Sequence, residues 1–334
     1  MTAGPRVLVI QTAFLGDVVL TTPLFRAIKR HWPDCYLAAL VIPQTAPILT
    51  GLPELDAVLV HDKRGGKTGE FLRALREVRE ENFDVVISPH RSTRSSLIAR
   101  ASGAKRRVGY RENAMPWVYS ERITRPMERH EAERILALAE EMGMDAGDPR
   151  PHLFLTDEER AEARALAGGK PYAVISPSSV WPTKRWLPEG FAAVADYLAG
   201  RGYGVVITGG PDERETVAAV IGAMEHGALN LAGKTTIREL AAVIAEASLL
   251  VTNDSAPVHL AAATGTPTVA VFGATVPAQG FSPLAERAAV VEVEGLYCRP
   301  CGAHGGRRCP EKHFRCMKEI RPEAVVEAAS AVLD

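Results

Sequence analysis

Asp17 stands alone in "VLVIQTAFLGDVVLTTP", residues 7–23, the one acid of a run that begins as a buried strand and ends in threonines and a proline. Just past a strand, that carboxylate can cap a helix or take a proton, and the local pattern admits both. A second group lies in "SPSSVWPTKRWLPEGFA", residues 176–192, where Ser178 and Ser179 occupy the turn beyond a strand and Lys184 follows. Hydroxyls with an ammonium make a phosphate clamp; a surface lysine in a proline-rich loop is the plainer alternative. A third is "TNDSAPVHLAAATGTP", residues 252–267, where a strand ends in Asn253-Asp254-Ser255 and Pro257 suits a first helical turn. The free N–H groups of such a helix start attract a diphosphate. Asp254 or Ser255 as a mere cap, and His259 as a satisfied structural histidine, stay open on the residues alone.

Weaker signals surround these. Glu213 in "ITGGPDERE" follows a strand end, where an acid binds ribose hydroxyls or is simply solvated. Thr235 in "NLAGKTTIREL" can meet a base or phosphate, or only help start a helix. From His90 to Arg111 there are seven basic residues, Arg91, Arg94, Arg100, Lys105, Arg106, Arg107 and Arg111, and no acidic one. That patch suits an anionic ligand or membrane surface, or is a solvated helix face. Cys298-x2-Cys301-x7-Cys309-x6-Cys316 gathers four thiols in a segment short of apolar residues. Tetrahedral zinc or iron would supply the missing core there, with disulfides or free thiols as alternatives; a four-ligand site would be structural. Cys35 reads as a small buried residue.

The elements that must carry these groups form two series. Apolar runs of strand length alternate with amphipathic stretches: "RVLVIQ", "YLAALVI", "AVLVHD" and "DVVISPH", then "YAVISPSS", "GVVITGG", "SLLVTND" and "TPTVAVFGAT". Strands apolar on both faces and separated by helices predict parallel sheets covered by helices. Prolines, an acidic helix and Gly-Gly-Lys-Pro place a linker between about 147 and 170. The expected division is 1–155 and 156–334, two Rossmann-like halves whose ligands bind beyond the strand carboxyl ends. Neither half contains GxGxxG, which counts against a dinucleotide oxidoreductase. With 334 residues, 46% hydrophobic and 24% charged content and a net charge of −1, the chain reads as an ordinary globular protein with no bulk affinity for nucleic acid. No signal segment or membrane-spanning run is expected, so the reading is cytoplasmic.

Three blocks, "GDVVLTTPLFRAIKRHWPD", "LAGKTTIRELAAVIAEASLLVTNDSAPVHLAAATGTPTVAVFGAT" and "CRPCGAHGGRRCPEKHFRCMKEI", resemble the ADP-heptose:lipopolysaccharide heptosyltransferases of glycosyltransferase family 9. The cysteine-rich tail is similar to the heptosyltransferase II branch. The resemblance implies a GT-B fold, two Rossmann-like domains facing across a cleft, with an acceptor-binding first domain and a nucleotide-sugar-binding second. It also implies a C-terminal helix that packs back on the first domain. It implies inverting, metal-independent transfer of heptose from ADP-L-glycero-D-manno-heptose to the inner core of lipopolysaccharide, at the cytoplasmic face of the inner membrane.

By position it makes Asp17 the catalytic base. Ser178, Ser179, Lys184, Glu213, Thr235, Asp254, Ser255 and His259 become donor-binding residues, and Arg91, Arg94, Arg107 and Arg111 suit the Kdo/heptose–lipid A acceptor. Cys298, Cys301, Cys309 and Cys316 remain a candidate structural metal site. Two departures stand out: "FGAT" replaces the family's frequent "FGPT", and the loop before Lys184 varies in length in the family, which leaves its serine contacts open. The alternatives are a protein heptosyltransferase acting on autotransporter-type proteins and a non-catalytic nucleotide-sugar-binding protein on the same scaffold.

Overall fold

A computed structural model describes residues 4–62, 68–166 and 168–334. The chain divides into two compact units at the Phe154/Leu155 step. In the first, strands β1 (Arg6–Ile10), β2 (Tyr36–Val41), β3 (Ala57–Val60), β4 (Val85–Ser88), β5 (Arg106–Tyr110) and β6 (Glu121–Ile123) form one sheet ordered β3-β2-β1-β4-β5-β6. Every pairing is parallel. Helices cover both faces, α1 (Leu15–His31) beside α4 (Glu131–Glu141) on one and α2 (Thr68–Glu80) beside α3 (Thr93–Ala101) on the other. The apolar character of β1 follows from this double burial. Leu8 and Ile10 pack with Val78 of α2 and Ile98 of α3, and Val7 and Val9, on the alternate side, are equally enclosed. The stretch after β2 becomes only a one-turn helix, Ala46–Leu49, because Gly51 and Pro53 end it.

The second unit repeats the plan with β7 (Tyr172–Ser176), β8 (Gly204–Ile207), β9 (Leu229–Asn230), β10 (Leu249–Asn253), β11 (Thr268–Phe272) and β12 (Ala288–Glu292), ordered β12-β11-β10-β7-β8-β9 and all parallel. In chain order its helices are α5 (Asp157–Leu166), α6 (Pro188–Gly200), α7 (Arg214–Ala223), α8 (Ile237–Ala245), α9 (Ala256–Thr264), α10 (Arg315–Lys318) and α11 (Pro322–Leu333). The α6–α7 and α8–α9 pairs each pack together. The last helix, α11, buries Val325, Ala329 and Val332 against α6 and strands β10–β12. Its apolar face is thus covered by elements of its own unit.

Candidate active site

Strand order locates each unit's ligand edge. In the first sheet the chain runs outward from β1 through β2 to β3, then returns to the other side of β1 with β4. The crevice outside the carboxyl ends of β1 and β4 is therefore a topological switch point, where open α/β sheets bind ligands. The second sheet reverses in the same way between β7 and β10.

At the β1/β4 edge, Asp17 occupies the third position of α1, not the cap, which falls on Phe14 and makes no side-chain hydrogen bond. Its side chain keeps part of its surface open. Enclosure by the fold first, and the charge of Glu131 second, push its pKa up to about 6, against the pull of the Phe14 and Asp17 N–H groups and of Arg125. Beneath it lies a charged network that the sequence reading missed. Glu131 accepts from Arg125 Nη2 and from Arg134 Nη1, the latter at 3.2 Å, and all three are buried. Arg134 is held further by donating to the Pro126 and Met127 carbonyls. The one available signal was Glu131 and Arg134 at helical i,i+3 spacing on the same stretch as Ile135 and Leu138, which turns them inward. Across the edge, His90 Nδ1 lies 2.9 Å from both Thr12 Oγ1 and Ser95 Oγ, with Ser92 Oγ at 3.4 Å.

The basic run divides by register. Arg91, Arg94 and Arg111 are exposed beyond the strand ends of β4 and β5. Arg107 is not among them: it sits near the start of β5 and its guanidinium donates to the Val118 and Ala104 carbonyls. Those bonds give it a structural job at the opposite end of the sheet and remove it from the acceptor set. Arg106 pairs with Glu121 at 2.6 Å.

At the β7/β10 edge, Lys184 Nζ lies 2.6 Å from Asp254 Oδ2, which also accepts from Thr275 Oγ1 at 2.6 Å. Ser178 is buried and its hydroxyl has no hydrogen-bond partner among the described residues. Ser179 instead shapes the turn, its Oγ accepting from Trp181 N at 3.3 Å. Ser255 is the N-cap of α9 by position, but its side chain does not cap; Pro257 occupies the first turn. The leading N–H groups of α9 are thus left uncapped by a side chain, and Asp254 is turned to Lys184. His259 is buried on α9, its ring 6.2 Å from that of Phe281. Glu213 bonds Gly210 N at 2.7 Å and so holds the turn after β8, next to β7. Thr235 precedes α8, whose cap is Thr236, in a reciprocal box with Glu239.

The cysteine segment braces this edge. Thr183 Oγ1 donates to Gly306 O at 2.9 Å and accepts from Gly306 N at 2.7 Å, while Cys301 N donates to Ala274 O at 2.7 Å. Arg299 donates to the Gly273 and Thr275 carbonyls. All four cysteines are free thiols, and among the described residues no three His, Cys, Asp or Glu side chains stand at metal-holding distance. The Cys301 thiol donates to Cys298 O at 3.1 Å, and burial first, then the neighbouring Cys301, pushes the Cys316 thiol up to about 11. Cys35 is buried, as expected.

Residues 71–313 match the family model described as glycosyltransferase family 9 (heptosyltransferase). Lipopolysaccharide heptosyltransferase 3 of Escherichia coli strain K12 is 33% identical over 276 residues, covering 78% of this chain and 80% of that one. Lipopolysaccharide heptosyltransferase 2 of the same strain is 25% identical over 351 residues, 98% of each chain. Among solved structures, the glycosyl transferase family 9 protein from Veillonella parvula DSM 2008 superposes with a TM-score of 0.89 at 27% identity, over 98% of this chain and 97% of that one. The two-sheet architecture is of the GT-B type.

Proposed function

The chain belongs to glycosyltransferase family 9, and from that membership we propose that it moves heptose from ADP-L-glycero-D-manno-heptose to the inner core of lipopolysaccharide with inversion. The observation that carries the reading is the pairing of chemistries at the two switch points. One edge offers a carboxylate whose pKa of about 6 suits a general base. The other offers an enclosed Lys184–Asp254 pair, the orphaned Ser178 hydroxyl and the uncapped start of α9, a set fitted to a diphosphate.

In that reaction an acceptor hydroxyl attacks the anomeric carbon, Asp17 takes its proton as the new C–O bond forms, and the bond to the diphosphate oxygen breaks on the opposite face. Lys184 and the α9 N–H groups stabilise the charge that gathers on the departing ADP. No metal or cofactor takes part in this scheme. The scheme needs both edges to act on one donor–acceptor pair. Glu213 and Thr235 then serve the nucleoside, and Arg91, Arg94 and Arg111 the anionic groups of the lipid-borne acceptor. Among the described residues no helix is long and apolar enough to cross a membrane. The proposed contact with the inner membrane is peripheral, from the cytoplasmic side and through that basic edge.

For the cysteine segment the proposal is a structural zinc or iron on Cys298, Cys301, Cys309 and Cys316. Four thiols within one short segment, two of them at CxxC spacing, supply a donor set of the right chemistry, and the segment's ties to Thr183 and to residues 273–275 give it a role in stiffening the Lys184 loop. The test of function is incubation with ADP-heptose and either deacylated core saccharide or autotransporter-type protein, read by mass spectrometry. A heptose added to the saccharide is expected. Transfer only to protein, or binding of the donor without transfer, would overturn the reading.

A further inference from the structure

We infer that Arg299 and Thr275 are positioning residues for Lys184: the guanidinium clamps the turn after β11, and the Thr275 hydroxyl on that turn holds the carboxylate that aims the ammonium. The inference rests on the proposed function only for the role of Lys184 at the donor diphosphate.

The turn after β11 is bonded to the cysteine segment at three successive carbonyls. Gly273 O accepts from Arg299 Nε, Ala274 O from Cys301 N at 2.7 Å, and Thr275 O from Arg299 Nη2 at 2.7 Å. The same turn also meets α10, since a Cβ on Gly273 would run into the side chain of Met317, which is fully buried. Residues 299–301 and 317 thus fix the path of the backbone from Gly273 to Thr275.

Arg299 suits this task by its shape. Its side chain is 4% exposed, and its other bonds go to Glu292, the last residue of β12, and to the carbonyl of Val293. Glu292 is the register partner of Phe272, the last residue of β11, so one guanidinium ties together the carboxyl ends of two neighbouring strands. A planar fork meets acceptors on several sides in one geometry, which an ammonium on a flexible stem does not.

The fixed turn then sets the donor edge. Thr275 is 4% exposed, and its Oγ1 donates at 2.6 Å to the Asp254 oxygen that lies 2.6 Å from Lys184 Nζ. The backbone of Asp254 is tied to β11 by its N donating to Val271 O at 3.0 Å. What remains to be set is the direction of the carboxylate, and the Thr275 hydroxyl sets it. A shift of the turn would therefore move the hydroxyl, the carboxylate and the ammonium in that order. Energetic coupling is reciprocal. If the turn holds Lys184 for the donor, a bound donor also holds the turn, and with it the Cys301 N–H bonded to Ala274.

The test uses the full-length protein with ADP as probe, binding read by calorimetry, amide exchange of Cys301 by NMR, and heptose transfer assayed separately. Thr275→Val keeps the shape and removes the hydroxyl, whereas Thr275→Ser keeps the hydroxyl. The first should raise the ADP Kd roughly tenfold and the second by no more than about twofold, an ordinary size for coupling between linked sites. Arg299→Lys should raise the Kd as Thr275→Val does, and the two together no further than either alone. Where Arg299→Lys does not fold, Glu292→Gln loosens the same guanidinium and takes its place. Saturating ADP should slow Cys301 exchange in the parent and leave it unchanged in Thr275→Val. An ADP Kd in Thr275→Val equal to that of the parent would overturn the relay, as would Thr275→Ser weakened as far as Thr275→Val, which would make residue 275 a packing position. Effects of the Arg299 and Thr275 variants that multiply would overturn it too, by putting the two residues on separate paths, and so would Cys301 exchange in the parent that ignores ADP. A parent that binds no ADP would overturn both the relay and the proposed function. ADP binding without heptose transfer would overturn the proposed function and leave the relay standing.

Discussion

Lys184 Nζ and Asp254 Oδ2 lie 2.6 Å apart, and the same oxygen accepts the Thr275 hydroxyl, so one enclosed carboxylate fixes both a cation and the residue-275 turn. This relationship divides labour between two residues that the motif alone puts in one class. A phosphate would be repelled by Asp254 and attracted by Lys184, so the carboxylate acts through the ammonium by holding it in place.

Removing one partner should therefore cost more than removing both. Lys184→Met leaves a buried carboxylate without its cation and is expected to lower unfolding free energy by about 3–5 kcal/mol. Lys184→Met combined with Asp254→Asn should recover most of that loss, yet donor affinity should stay as weak as in the single variant. Chemical denaturation gives the first quantity and calorimetry with ADP-heptose the second. A double variant destabilised by the sum of the singles would show that the pair is not coupled.

Asp17→Asn is expected to lower kcat by about 10²- to 10⁴-fold with the donor Kd little changed. The same substitution should stabilise the protein at neutral pH. Because the folded-state pKa is raised from 3.8 to about 6, the folded protein binds more protons than the unfolded chain between those values, and stability falls as pH rises through that window. Removing the carboxylate removes the loss, by up to about 2 kcal/mol for a group that keeps some solvent contact. Melting temperatures of the two proteins should coincide below about pH 4, separate between about pH 4 and 6, and stay apart by a constant amount above that. A variant less stable than the parent at pH 7 would give Asp17 a structural role in the first turn of α1.

The pH–rate profile follows from the same geometry. The base must be ionised, so kcat/KM should rise with pH through an apparent pKa near 6 and then level off. Glu131 raises that pKa and Arg125 lowers it, so Glu131→Gln should move the rising limb to lower pH. It should also destabilise the fold, since Arg125 and Arg134 lose their shared buried acceptor. A limb that stays in place while stability drops would confine Glu131 to a structural role.

How far this could be read from sequence depends on what each feature needs. The parallel, doubly covered sheets were legible because burial on both faces leaves continuous apolar runs such as Arg6–Ile10 and Leu249–Asn253. Lys184, Asp254 and Ser178 stand out as candidates in the sequence because each lies in the turn beyond a strand end. Arg107 was misread with its basic neighbours, since only strand register tells which end of β5 a side chain occupies. Glu131, Arg125 and Arg134 went unnoticed: the i,i+3 spacing of Glu131 and Arg134 is visible in the chain, but the Arg125 contact joins a loop to a helix that no local pattern links.

Gly305 offers the sharpest probe of the brace between the cysteine segment and the donor edge. Its φ of +75° belongs to the left-handed region, and a Cβ there would meet Thr183 Oγ1 at 2.9 Å and Lys184 Cγ at 3.2 Å. Gly305→Ala is therefore doubly constrained: the backbone resists a side chain, costing about 1 kcal/mol, and the new methyl presses on the residues that aim the ammonium. Because Thr183 is bonded at both of its polar ends to Gly306, it cannot yield without breaking the brace. The strain should pass to the Lys184 loop and raise the ADP-heptose Kd severalfold, while the response of kcat to pH, set on the other unit by Asp17, stays as in the parent. Calorimetric titration with the donor and a pH–rate profile on the same preparation decide it. A donor Kd equal to that of the parent would mean that the segment touches the loop without positioning Lys184.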